Sequence, residues 1–401
     1  MEYKYNYLKK LPERQKDPET CCGSTKQGKK YINPWPSATP RAAAKNSNIG
    51  SEFLKAYIKN AFVEREKNTS LKVDLDLKSI NEYHEDDKNI AMQLTWLGHA
   101  AFLLQINTFT ILFDPFLSGR ASPISFAGPY RCRGRGFKKF SELPPIDFVI
   151  LSHNHYDHLD KKTIKEIYAD KRNKKRTQVF CPLDLKKWFV GIGIPEKQVT
   201  ECDWWDEHEV IRIPESVDIT NEEAINEALN SSSNRKITIC TVPNQHFSGR
   251  TGSDNNETLW AGWVIKSQDI TYYFAGDTGY RSLPDICPEE EIENYPYCPV
   301  FKQIGNIHGP FDIACIPVGP VIPPHMMSVV HTTAGDAVNI HLDCKSKHSI
   351  AMHWGTVENL GVDNIESGPA ELREALDKKN IPHEEFHDVY IGQIIKLEKK
   401  N

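Results

Sequence analysis

Long apolar runs are missing from these 401 residues. No stretch approaches the roughly 18 unbroken apolar residues that a membrane-spanning helix needs. Residues 1–10 are polar and aromatic, without the apolar centre of a secretory leader, so no signal peptide is expected. Charge of one sign is scarce as well: 49 Lys and Arg against 54 Asp and Glu leave a net charge of −5. That balance excludes nucleic-acid binding by bulk electrostatics. Ten cysteines are present, but no Cys-x-x-Cys pair is. Their scatter excludes a knuckle-type structural zinc site and a disulfide framework, and fits free thiols in a reducing compartment. An intracellular protein is expected, touching a membrane surface at most peripherally.

What is there is a chain with 39% hydrophobic and 26% charged residues, long enough to bury a large core. Residues 1–50, rich in Lys, Pro, Ser and Asn, are too polar to fold alone and read as an extended arm laid on the body. Helical spacing of apolar residues appears over 51–66. The catalytic body is expected to begin near Met92, so that 51–401 forms a single domain. Strands are expected at 92–96, 101–106, 109–113, 147–152, 177–181, 236–242, 260–266, 270–275, 311–318 and 349–352. Helices are expected at 160–172, 183–190, 333–342 and 369–379. This interleaving suggests a layered α/β architecture. Residues 214–235 read as a polar surface insertion.

Several of these strands run into metal-type ligands: His153, His246, Asp277 and His353 each follow one. Loops at strand ends converge over a rigid sheet, so ligands distant in sequence can meet. The densest cluster is His153-Asn154-His155-Tyr156-Asp157-His158. Two residues apart in extended chain share a side, so His153 and His155 can hold one metal together. The turn that follows presents Asp157 and His158 to a neighbouring position, where a second metal can sit. Imidazole and carboxylate donors without thiolate suit Zn²⁺, while Fe and Mn remain open. Four ligand-type residues in a six-residue window after a buried strand have no packing rationale. His84, His208, His308, His325, His341, His348, His383 and His387 are read as ordinary histidines.

The His-x-His-x-Asp-His cluster resembles the signature of the metallo-β-lactamase superfamily. The wider context is similar to its N-acylphosphatidylethanolamine-hydrolysing phospholipase D family. That likeness is carried by Trp96-Leu97-Gly98-His99-Ala100, Phe113-Asp114-Pro115, Asp203-Trp204-Trp205, Gln245-His246, Phe274-Ala275-Gly276-Asp277-Thr278-Gly279-Tyr280 and Met352-His353-Trp354-Gly355-Thr356. The resemblance implies an αββα four-layer sandwich, two mixed β-sheets flanked by helices. It implies two zinc ions per chain, one held by His153, His155 and His246 and the other by Asp157, His158 and His353, with Asp277 bridging them. By the same resemblance His331 lies near the reacting phosphate, Asp114 orients a ligand histidine, and His99 supports the site. Asp277, His331 and Asp157 are the catalytic candidates. Tyr156, Ser125, Phe126, Met326, Met327 and Val330 are candidates for substrate contact. Ser125 and the stretch 319–330 depart from the family's pattern.

The activity implied is hydrolysis of N-acylphosphatidylethanolamine to an N-acylethanolamine and phosphatidic acid, by a hydroxide bridging the metals. A phospholipid substrate, peripheral contact with the cytosolic face of endomembranes and a homodimer accompany that expectation. Two other readings stay open from the sequence: a different hydrolase on the same fold, such as a sugar-lactone hydrolase, and a catalytically silent lipid-binding protein.

Overall fold

Side-chain alternation sorts the central strands into two cores. A computed structural model of the chain describes residues 3–10, 23–40, 72–83, 89–124, 126–214, 221, 223–224, 227, 236–361 and 363–400. The expected helix at 51–66, Ser125 and most of the 214–235 insertion lie outside these residues. In the strand Ala101–Ile106, Phe102, Leu104 and Ile106 enter one apolar cluster while Ala101 and Leu103 enter another. Phe109–Phe113 and Phe148–Ile150 divide in the same way. A strand buried on both faces is apolar throughout, which is why these segments read as continuous hydrophobic runs.

Two mixed sheets result. One runs Tyr3–Lys10, Glu207–Pro214, Lys236–Val242, Gly262–Lys266, Thr271–Phe274, Ile313–Pro317, Ser349–Met352 and Phe386–His387. The other runs Val199–Cys202, Gln178–Pro182, Phe148–Ile150, Phe109–Phe113, Ala101–Ile106, Ile90–Gly98 and Ile394–Glu398. They face each other through aromatic side chains: Phe113 lies 4.9 Å from Phe274 and 5.4 Å from Tyr272 between ring centres, and Phe180 lies 6.3 Å from Trp263. Edge-on and tilted aromatic pairs at these separations add to the burial of their area. Ile164, Ile167 and Tyr168 of the helix Lys161–Ala169 cover the outer face of the second sheet. Ala334–Asp343 and Gly368–Lys379 cover the first. The order of layers is therefore helix, sheet, sheet, helix.

Local chemistry sets the boundaries. The helix expected over 160–172 breaks at Asp170, whose backbone is extended and whose side-chain carboxylate caps a second short turn, Lys171–Lys174, by accepting from the Arg172 amide. Tyr3–Lys10 does more than lie along the body: it pairs antiparallel with Glu207–Pro214 as an edge strand. No helix among the described residues is long and apolar enough to cross a membrane.

Candidate metal centre

Strand Phe148–Ile150 delivers the motif. Past its end, the Leu151 carbonyl accepts from the Trp263 indole at 2.8 Å and the Ser152 carbonyl accepts from the Ala261 amide at 2.9 Å, fixing the exit to the opposite sheet. Gly276 approaches Ser152 so closely that a Cβ there would stand 2.6 Å from the Ser152 Cβ. Its φ of +63° is a second reason for glycine at that position. Residues 155–159 then turn, the amides of His158 and Leu159 both donating to the His155 carbonyl. Arg250 grips this turn from outside, donating to the carbonyls of Asn154 (2.7 Å) and Leu159 (2.9 Å) and stacking 3.8 Å from the centre of the Tyr156 ring.

The donors converge on Asp277. Its Oδ2 lies 3.0 Å from His158 Nε2, 3.0 Å from His353 Nε2, 3.8 Å from His246 Nε2 and 4.0 Å from His153 Nε2. On one side His153 Nε2 and His246 Nε2 stand 2.8 and 3.3 Å from His155 Nδ1. On the other, His158 Nε2 and His353 Nε2 each stand 3.5 Å from Asp157 Oδ2. Two groups of three donors thus share one carboxylate. All seven residues are buried except His155, which is partly exposed.

Four of the five imidazoles, those of His153, His158, His246 and His353, are steered through the other nitrogen, as ligating histidines generally are. His153 Nδ1 meets the Ser152 hydroxyl at 2.8 Å, and His246 Nδ1 meets the Val330 carbonyl at 2.8 Å. His353 Nδ1 meets the Gly319 carbonyl at 2.9 Å. His158 Nδ1 lies 2.7 Å from Asp114 Oδ2, and Asp114 in turn accepts from the Ser152 amide and hydroxyl at 2.7 and 2.5 Å. His99 sits at 2.8 Å from Asp157 Oδ2 and 4.0 Å, centre to centre, from the His353 ring. Ser152, Gly319 and Val330 escape a search for ligand-type residues; only the position of Ser152 directly before the motif hints at its part.

Electrostatics mark the centre as a cation site. Burial works against the charge of His158, yet Asp277, Asp157 and Asp114 raise it well above its ordinary value. Burial likewise opposes His353, which Asp277 and Asp157 lift to about 9. Burial also opposes the carboxylates Asp157 and Asp277, and His158 in particular holds both well below the usual range. Buried carboxylates on this scale demand positive charge close by. Burial depresses His155 to about 4 and His246 to about 3, leaving neutral imidazoles with lone pairs to give. His158 Nε2 and His353 Nε2 face Asp277 Oδ2 at 3.0 Å but make no hydrogen bond of good geometry, and Asp277 Oδ1 is likewise buried without one. The donor set therefore fits divalent metal ions.

His331 lies over both groups, its ring 5.3 Å from those of His246 and His353. Its Nδ1 is buried and unpaired, and burial lowers it to about 3. The helix beyond is capped by Thr333, so His331 is not needed for that end. Beside the motif a cleft of about 1850 Å³ is lined by Tyr156, Phe126, Ile124, Arg120, Trp188 and Lys162 among others. None of the seven donor residues lines it, and neither do Met326, Met327 or Val330, which belong to the segment leading into His331. Ser125 lies outside the described residues.

The family model of the beta-lactamase superfamily domain matches residues 110–354. The chain is 33% identical over 319 residues to N-acyl-phosphatidylethanolamine-hydrolyzing phospholipase D 1 of Caenorhabditis elegans, covering 78% of this chain and 77% of that one. It is 24% identical over 291 residues to the mitochondrial N-acyl-phosphatidylethanolamine-hydrolyzing phospholipase D of Saccharomyces cerevisiae, covering 70% of this chain and about half, 53%, of the yeast protein. A metal-dependent hydrolase of Pyrococcus furiosus is 25% identical over 303 residues, 72% of this chain and 93% of that one. With its donors gathered at strand ends between two mixed sheets, the chain belongs to the metallo-β-lactamase superfamily of metal-dependent hydrolases, in the family that includes the C. elegans phospholipase D.

Proposed function

We propose that the chain hydrolyses the phosphodiester of N-acylphosphatidylethanolamine on its head-group side, releasing an N-acylethanolamine and leaving phosphatidic acid. The observation that carries this reading is the single Asp277 carboxylate within 4.0 Å of four imidazole nitrogens from two donor groups, in a chain of this family. His153, His155 and His246 would hold one zinc ion, Asp157, His158 and His353 the other, and Asp277 both. Such a pair supplies a water acidified to about neutral pH and positive charge for phosphoryl oxygens.

The remaining work falls to the protein's own groups. Asp114 and Ser152 keep the protons of their histidine neighbours on Nδ1, so that the Nε2 lone pairs face inward. His331, which burial holds neutral at working pH and whose Nδ1 is unpaired, can donate an N–H hydrogen bond to a phosphoryl oxygen as charge gathers there. Tyr156, Ile124 and Phe126, the last 71% exposed, offer the diacylglycerol part an apolar wall. Arg120, Lys161, Lys162 and Lys165 line the same cleft and suit lipid phosphates at a membrane surface.

Purified protein incubated with N-acylphosphatidylethanolamine in mixed micelles, and separately with sugar lactones, tests the assignment by mass spectrometry of the products. N-acylethanolamine and phosphatidic acid in equal amounts are expected. Lactone opening without N-acylethanolamine release rejects the phospholipid reading.

A further inference from the structure

The stretch of chain that brings His246 to the centre has almost no regular structure. Its strand ends at Val242, and beyond it only an isolated bridge between Gln245 and Gly279 continues the ladder. One side of Gln245 is held by the core: its amide donates to Thr278 Oγ1 at 2.9 Å, and its carbonyl accepts from the Gly279 amide at 2.7 Å. Its side chain, and the His246 carbonyl beyond it, are held by residues more than 200 positions earlier.

We propose that residues 31–37 form a strap that fixes the His246 imidazole, with Asn33 and Ser37 as its positioning residues. The strap is itself anchored at two points. Tyr31 is buried, its amide donating to the Asn256 carbonyl and its hydroxyl to Asp184 at 2.7 Å, and Trp35 stacks on Trp204 with ring centres 5.6 Å apart. Between these anchors the Asn33 side-chain amide donates to the His246 carbonyl at 2.8 Å. The Asn33 Oδ1 is buried without a partner, so this side chain is placed for its donor. Ser37 is 1% exposed and donates to Gln245 Oε1 at 2.6 Å. The Gln245 side-chain NH₂ then donates to the Val329 carbonyl at 2.8 Å, one residue before the carbonyl that takes His246 Nδ1. The strap therefore sets the His246 backbone directly, and through Gln245 it sets the segment that orients the His246 ring and leads into His331. A ligand on an irregular loop is only as well aimed as the groups that support it.

This inference rests on the reading of His246 as a metal ligand. The full-length variants Asn33→Asp, Ser37→Ala and His246→Ala are loaded with Co²⁺ and compared with the parent. Three quantities are read: the visible absorption band, affinity in competition with a chromophoric chelator, and the melting temperature of the metal-free protein. Asn33→Asp keeps the shape and removes the donor. Asn33→Asp and Ser37→Ala should each shift the band and weaken one of the two binding steps by roughly ten-fold, while the metal-free protein melts close to the parent. His246→Ala should abolish that same step. Parental spectra and affinities in both strap variants, with the step lost in His246→Ala, overturn the strap. So does a lowered melting temperature with an unshifted band. Parental binding in His246→Ala instead removes the ligand assignment on which the strap depends.

Discussion

Replacing Asp114 by Asn tests how the centre keeps its lone pairs pointed inward. Asp114 is fully buried and accepts from three groups: His158 Nδ1 at 2.7 Å, the Ser152 amide at 2.7 Å and the Ser152 hydroxyl at 2.5 Å. An amide of the same shape can keep its oxygen on the Ser152 amide, but its NH₂ then faces His158 Nδ1. The imidazole has two responses. It can keep its proton on Nδ1 and lose a charge-assisted hydrogen bond, about 1.5–3 kcal/mol. It can instead move the proton to Nε2, the atom 3.0 Å from Asp277, and so withdraw the lone pair a metal needs. Either response weakens the Asp157, His158 and His353 group by about 10–100-fold in affinity. Titrating metal into stripped protein against a chromophoric chelator should resolve two steps, of which Asp114→Asn weakens one and leaves the other in place. A variant whose two steps both superimpose on the parent refutes the reasoning.

Four further outcomes are expected. His331→Ala should lower turnover of the phospholipid by roughly 10²–10³-fold, the range for losing one hydrogen-bond donor to developing charge, with metal content unchanged; parental kinetics would return His331 to a packing role. Asp277→Asn, which removes the shared charge, should leave less than one tightly held metal per chain by elemental analysis, and two retained metals would contradict its bridging position. In the metal-free protein, burial holds His99, His246 and His331 at about 3 and His155 at about 4. The unfolded chain, with imidazoles near 6.5, binds more protons below that pH, so stability falls as pH drops from about 6.5 towards 3–4, by roughly 2 kcal/mol per imidazole at pH 5. Asp336, which burial pushes up to about 6, offsets part of this loss. His353, at about 9 in the fold because its carboxylate neighbours overcome its burial, acts in the opposite sense: its stabilisation is complete below about 6.5 and is lost as pH rises through 9. Melting temperatures of metal-free protein at pH 5, 7 and 9.5 should therefore peak at the middle value; equal values at pH 5 and 7 would contradict the burial of these rings. Gly276→Ala, with its Cβ 2.6 Å from Ser152, should cost about 1–3 kcal/mol in denaturant unfolding, and an unshifted midpoint would mean that the two strand exits are not in contact.

The central strands and the donor set are legible in the sequence for one physical reason. Strands buried on both faces are apolar without interruption, and their ends are marked where histidine or aspartate follows, directly at His353 and after two small or apolar residues at His153 and Asp277. Other elements leave weaker marks. Val199–Cys202 spans four residues, two of them half-buried, too few for a period to show. Ile394–Glu398 pairs with Ile90–Gly98 although it carries Lys396 and Glu398, because it forms an edge and shows those side chains to water. The eight-residue helix Val300–Ile307 starts after Pro299 without a side-chain cap, so the usual start signal is missing. Tyr3–Lys10 becomes a strand only through its pairing with Glu207–Pro214, about 200 residues away. The supporting contacts of the centre are hidden for the same reason. Carbonyls such as those of Gly319 and Val330 carry no residue identity, and Asn33 finds His246 across 213 positions of sequence.

Hydrolysis of N-acylphosphatidylethanolamine by the metal-loaded protein in H₂¹⁸O tests the central claim most directly. Attack at phosphorus places one ¹⁸O in the phosphatidic acid and none in the N-acylethanolamine, and prior removal of metal by a chelator should abolish the label's appearance. Label in a released fatty acid, or turnover that persists in the chelator-stripped protein, would contradict a metal-dependent phosphodiesterase.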